Sequence, residues 1–297
     1  MDTLKEKYWI IELKTLDAET KRIANEFLQN MKLANKSPVT IDKYRRVMEK
    51  FFTECPTPLQ ELYPDDVLNW LHSFYGDRKE RTIDQVLAVL SSFFKFCQAE
   101  EYIDRVLIKN RWRPRLPRTL PKYLNSSELA RVKIAAEKLS LRDRALVLFL
   151  LSSGCRRSEV SGLNVDDVDL DNRTARVLGK GNKFREVHFD EESALILKKY
   201  LNNKPRDKKP LFLNQFGERL MPIGIYAITT KLGKKVGLPH SLSPHCCRHT
   251  FATNMMARGA ELEFIGNELG HRDLNTTRVY TRILSDQIIA AYRKIKE

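Results

Sequence analysis

The sequence predicts a mainly α-helical protein with one small β-sheet: an all-α N-terminal domain followed by an α+β domain. Three observations carry this. Apolar residues recur at helical spacing from about residue 17 to 105. One pair of short alternating segments flanks the turn Gly179-Lys180-Gly181-Asn182. Beyond Tyr200 the pattern is again mostly helical. At 297 residues the chain is long enough for two domains, each with its own core.

In the first domain, residues 1–108, Ser37-Pro38 opens a helix. Serine accepts the capping bond, and proline sits where its missing N–H costs nothing. Ile41, Tyr44, Val47, Met48 and Phe51 follow at helical spacing, with Lys43, Arg45, Arg46 and Lys50 between them. A shorter helix is expected near Asp65 to Phe74. Another is expected from Thr82 to Cys97, with Ile83, Val86, Leu87, Leu90, Phe93 and Phe94 on its apolar stripe. Residues 109–121 carry prolines and arginines and read as a basic linker, either solvated or lying against a phosphate backbone.

The second domain spans residues 122–297. Asn125-Ser-Ser-Glu128 is expected to cap its first helix. The apolar helix Ala145–Ser153 should end at Gly154. Thr174–Leu178 and Phe184–Phe189 form a hairpin with Lys180 at its exposed tip. Ser243-Pro244-His245 reads as the start of a helix running to Gly259, and Asn275 as the cap of a last short helix bearing Tyr280.

The formal charge of +14 points to a polyanionic partner, with nucleic acid first and an anionic membrane second. No basic interfacial helix or lipidation signal supports the membrane. The apolar run Ala145–Leu151 is far short of the ~20 residues a spanning helix needs. Met1-Asp-Thr-Leu-Lys-Glu-Lys is too charged to lead a secretory signal. Five cysteines in no regular framework fit reduced thiols. The expectation is a cytoplasmic protein.

Candidate chemistry gathers in four places. His245 and Arg248 share the N-terminal end of one helix, where free N–H groups and the helix dipole favour a phosphate. Arg156 follows Gly154-Cys155, and Glu159 stands three residues on, able to hold the guanidinium in one orientation. His271 follows Leu269-Gly270, and Tyr280 is flanked by Arg278 and Arg282. His245 and His249 are the one pair at metal-ligand spacing in His245-Cys-Cys-Arg-His249, but no third ligand is evident.

In order and spacing, these motifs resemble the tyrosine site-specific recombinases, specifically the compact Xer-like and phage-integrase branch. The likeness covers the chain from about residue 122 onward. Ser37-Pro-Val-Thr-Ile-Asp-Lys-Tyr is more weakly similar to that family's helical core-binding domain. The resemblance implies catalytic roles for Arg156, Lys180, His245, Arg248, His271 and Tyr280, with Glu159 in support. Arg157 departs from the pattern, standing where the family usually has an aliphatic residue.

The chemistry so implied is a Tyr280 attack on a DNA phosphodiester, giving a 3′-phosphotyrosyl enzyme and a 5′-hydroxyl. His245 would accept the phenolic proton, and Lys180 would protonate the leaving oxygen. Arg156, Arg248 and His271 would hold the non-bridging oxygens. No cofactor, metal or ATP is called for. The implied partner is double-stranded DNA with a specific site, bound by a homotetramer with a four-way junction between exchanges. The apolar stripe from Ile283 to Tyr292 reads either as a plain core helix or, as the resemblance implies, as a segment that docks into a neighbouring protomer. Chromosome dimer resolution is the expected role. Integration or excision of a mobile element, a type IB topoisomerase and a non-catalytic DNA-binding module are the alternatives.

Overall fold

A computed structural model describes residues 8–281, apart from 77, 118–120, 180 and 272. The chain divides into two compact units, Met1–Arg118 and Thr119–Glu297.

Among the described residues four helices build the first unit: α1 (Ala18–Leu33), α2 (Pro38–Glu54), α3 (Pro64–Tyr75) and α4 (Glu80–Ala99). Ser37 caps α2 as its position suggests, accepting a bond from the Thr40 N–H. The apolar stripes meet in an aromatic core. Phe51 lies edge-on to Trp70 at 5.0 Å and Phe52 edge-on to Phe93 at 5.9 Å, so ring quadrupoles add to area burial. The stretch expected to be a linker from Lys109 belongs at its start to this unit. Asn110–Trp112 form a short turn, Trp112 packs against the core, and Tyr75 donates to its carbonyl. Arg113 pairs with Asp84 at 3.2 Å. The prolines that suggested a linker begin only at Pro114.

The second unit starts with α5 (Ser126–Ala136), opened by a reciprocal capping box between Asn125 and Glu128. Next come α6 (Leu141–Ser153) and the short α7 (Arg157–Gly162). Helix α6 begins four residues ahead of its apolar run because Ser140 caps it. Ala145 to Leu151 are all buried, which marks a helix enclosed on every side. Gly154 ends it with φ 61°, and an added Cβ would lie 2.6 Å from the Phe251 ring. Both facts require glycine.

A three-stranded antiparallel sheet follows, in the order β1 (Val168–Asp169), β2 (Thr174–Leu178), β3 (Phe184–His188). The β2–β3 register pairs Thr174 with His188 and Leu178 with Phe184. Strand β1 was not foreseen, since two residues cannot display an alternation. Helices α8 (Glu191–Asn202), α9 (Pro222–Lys235), α10 (Pro244–Ala257) and α11 (Leu262–Leu269) complete the described fold. Residues 203–221, in the region expected to be mostly helical, are instead irregular, with short bridges such as Leu213 to Arg219. Helix α6 packs against both α8 and α10. Among the described residues no helix is long and apolar enough to cross a membrane.

Candidate active site

The site is built where the end of α6, the start of α7, strand β3 and the α10–α11 pair converge. Gly154 turns the chain so that Arg156 opens α7, its N–H donating to Glu159 Oε2 at 2.7 Å and its Nη1 to Oε1 at 2.8 Å. The same guanidinium reaches the Leu269 carbonyl (3.3 Å) and the Gly270 carbonyl (3.4 Å). Arg185, from β3, grips both Glu159 oxygens at 2.7 and 3.0 Å and donates through Nε to the Glu268 carbonyl. The Glu159 side chain is only 2% exposed. Burial by itself pushes that carboxyl up, but the bond and charge of Arg185, then the bonds from Arg156, hold it below the usual carboxylate range.

Arg248 lies on α10 and is buried, donating to the Gly154 carbonyl (2.9 Å) and the Leu269 carbonyl (2.6 Å). Burial, and then the charge of Arg156, pushes its pKa down to about 10, so it remains a cation at neutral pH. His245 occupies the exposed first turn of α10, where Ser243 accepts a bond from the Cys246 N–H. Desolvation on its inner side, then the charges of Arg248 and Arg156, pull the His245 pKa down.

Tyr280 is 1% exposed, and helical backbone resumes around it at residues 279–281. Its hydroxyl lies 2.9 Å from Nδ1 of His249, whose ring packs edge-on to His245 at 4.1 Å. Sequence reasoning made His245 the partner of the phenol; the structure gives that contact to His249. One turn further along α10, His249 points inward, whereas His245 sits in the open first turn. Burial raises Tyr280 to about 12, against the opposing pull of Arg248 and Arg156. Burial likewise pushes His249 down to about 4, with His245 and Arg248 adding to the effect. His271 is also pushed down to about 4, by burial and then by Arg248, Arg156 and Arg185. Its Nδ1 lies 2.7 Å from the Thr277 hydroxyl. Both imidazoles are therefore neutral at pH 7.

Arg156, His245, Arg248, His271 and Tyr280 thus meet, with Glu159 between two arginines. Lys180 lies outside the described residues, as do Arg282 and the stripe from Ile283 to Tyr292. The cap expected at Asn275 is instead Asp273, whose side chain accepts from the Asn275 N–H ahead of the turn Leu274–Thr276. Asp tolerates that place as well as Asn does, so residue type could not decide between them. Arg185 and His249 were missed as site residues. Each reaches partners 26 or more positions away, a distance over which local spacing carries no information. Cys246 and Cys247 are buried free thiols with raised pKa values, chiefly through burial. Among the described residues no three His, Cys, Asp or Glu side chains gather as a metal-binding group.

The catalytic family pattern of the phage integrases matches residues 122–286, more than half the chain, and their SAM-like N-terminal pattern matches residues 24–101. Tyrosine recombinase XerA of Pyrococcus horikoshii is 32% identical over 279 residues, covering 92% of this chain and 93% of that protein. The chain belongs to the phage integrase family of tyrosine recombinases. Tyrosine recombinase XerC of Thermodesulfovibrio yellowstonii is 30% identical over 90% of the chain and 94% of its own length. The fold is that of a solved XerH site-specific recombinase bound to a palindromic difH substrate, with a TM-score of 0.75 at 21% identity. That match covers 99% of this chain and 94% of the other. This recombinase is therefore mainly α-helical with a small sheet, as the sequence predicted. The likeness to Xer proteins runs through both units.

Proposed function

We propose that this recombinase cuts and rejoins double-stranded DNA at a specific site through a 3′-phosphotyrosyl link on Tyr280. The observation that carries the proposal is one cluster holding Tyr280, its His249 partner, and two guanidinium groups bridged by one carbonyl. A phosphodiester has one negative charge, and its pentacoordinate transition state gathers more on the equatorial oxygens. Arg156 and Arg248 therefore bind the transition state more tightly than the ground state. His271, neutral and on the edge of the same cluster, donates one further bond.

In the cutting step the Tyr280 oxygen forms a bond to phosphorus, and the bond to the 5′-oxygen breaks. With the phenol near 12 and His249 near 4, the proton does not leave before attack. It passes to His249 as the O–P bond forms and acidifies the phenol, a role the sequence had suggested for His245. The exposed His245 is then free to donate to the phosphate. Lys180 supplies the proton for the departing 5′-oxygen. The 5′-hydroxyl of a partner strand reverses these steps. The phosphotyrosine conserves the bond energy, so the cycle runs without metal or ATP.

We further propose that the enzyme acts as a homotetramer, coupled through exchange of the C-terminal stripe, and resolves chromosome dimers. Likeness to Xer proteins over nine-tenths of the chain supports that role over service to a mobile element.

The test is a nicked suicide substrate carrying sites recovered by mapping covalent adducts on host DNA. The wild type is expected to be trapped on it, also in excess EDTA. Tyr280→Phe should bind the DNA equally and form no adduct. Trapping of the Phe variant would remove Tyr280 as the nucleophile, and loss of trapping in EDTA would point to a metal. Relaxation of plasmid lacking any such site would favour the topoisomerase reading.

A further inference from the structure

Arg185 has no part in the chemistry above, yet it is built into the site more firmly than Arg156. Its side chain is 15% exposed, against 33% for Arg156. It meets Glu159 with two parallel bonds of 2.7 and 3.0 Å, whereas the Arg156 side chain makes one, at 2.8 Å, to the shared Oε1. Glycines make room for it on both flanks. A Cβ on Gly270 would lie 3.0 Å from the Arg185 Cδ, and one on Gly179 3.3 Å from its Nη1. The fork geometry fixes direction as well as charge.

The charges explain why such a residue is needed. Glu159 is nearly sealed from solvent, and a carboxylate there paired with Arg156 alone would neutralise the group that has to attract the phosphate. With Arg185 as the main partner of Glu159, three guanidinium groups and one carboxylate leave the cluster with two net positive charges. Without it a single one remains. Arg156, the more exposed cation, is then free to turn its charge outward.

We propose that Arg185 is a positioning and charge-balancing residue: by taking up Glu159 it keeps Arg156 available to the scissile phosphate. It also ties β3 to the α11 end that holds both arginines. The proposal rests on the phosphotyrosyl reading, and the experiment separates the two.

Single-turnover cleavage of the suicide substrate is measured for wild type, Arg185→Met, Arg185→Lys, Glu159→Gln and the double variant Arg185→Met/Glu159→Gln. Filter binding and thermal melting are followed in parallel. Loss of a charge-assisted pair predicts that R185M cleaves roughly ten- to a hundred-fold more slowly, with DNA affinity within about two-fold of wild type. R185K, which keeps the charge but not the fork, should fall between. The discriminating result is the double variant. Removing both charges restores the cluster's balance, so it should recover most of the loss and cleave within a few-fold of E159Q. A purely structural role would leave the double variant as slow as R185M or slower, and that result, or wild-type speed in R185M, overturns the proposal. If R185M does not fold, R185K and the double variant still decide between these outcomes. Absence of any adduct with the wild-type enzyme would instead overturn the phosphotyrosyl reading itself.

Discussion

The two units bury different things. Among the described residues Thr20 is the one polar side chain buried in the first unit, whose core is otherwise apolar, with Phe51, Phe52, Phe93 and Trp70 among its aromatic residues. The second unit buries Glu159, Arg248 and Glu268, and with them Ser153, Thr250 and Thr277. Apolar burial stabilises at about 25 cal/mol per Å². Burying a cation costs several kcal/mol, which partners recover only in part. The depressed pKa of Arg248 reflects that cost: still a cation at neutral pH, it holds its proton less tightly in the fold than in water. The first core therefore exists to be stable. The second unit sacrifices stability where Arg248 stands, which is where a phosphate would be held.

Replacing Arg248 by Met should break this contrast most visibly. Cleavage is expected to fall by about 10²–10³-fold, the usual effect of removing one oxyanion-stabilising donor. The melting midpoint of the second unit, read by circular dichroism, should hold or rise, because an apolar chain of similar length replaces a desolvated charge. A marked drop in that midpoint would mean that Arg248 is principally a structural residue.

Phe51→Ala is the converse change, and it should cost the first unit about 3–5 kcal/mol. All three tryptophans, Trp9, Trp70 and Trp112, precede residue 118, so indole emission reports that unit alone. The urea midpoint by fluorescence should fall while the rate of the covalent step at saturating DNA is unchanged. A slowed covalent step would show that this core also shapes the chemistry.

A smaller effect comes from pH. His249 and His271 are held near 4 when folded, against ~6.5 in an unfolded chain. Between these values the unfolded chain binds more protons, so stability falls as pH drops from 6.5 towards 4 and levels off below. From pH 7 to pH 5 the loss should be on the order of 1 kcal/mol per histidine, allowing for their partial exposure. Denaturation followed at the second unit should show it, while tryptophan emission should not. Equal loss in both units would place its origin elsewhere.

The same contrast explains what could be read from the sequence. Helix starts such as Ser37-Pro38 and Ser243-Pro244 depend on residues within one turn, so they were legible. The motifs of the candidate site were legible for a different reason: their order and spacing resemble those of the family to which the chain belongs. Strand β1 was too short to announce itself, and Asp273 and Asn275 are interchangeable by type. Arg185 and His249 escaped because their meaning lies in what they touch. An arginine on a strand and a histidine on a helix are ordinary until Glu159 and Tyr280 are found beside them.

One backbone oxygen has a wider consequence. The carbonyl of Leu269 accepts from Arg156 and from Arg248, whose own segments are far apart in the chain. It works as a crossbar fixing the gauge between two rails, set by the length of α11 and not by either arginine. Inserting or deleting a residue within α11 would displace both grips together. A helix that lends the site its backbone oxygens should therefore tolerate changes in length poorly.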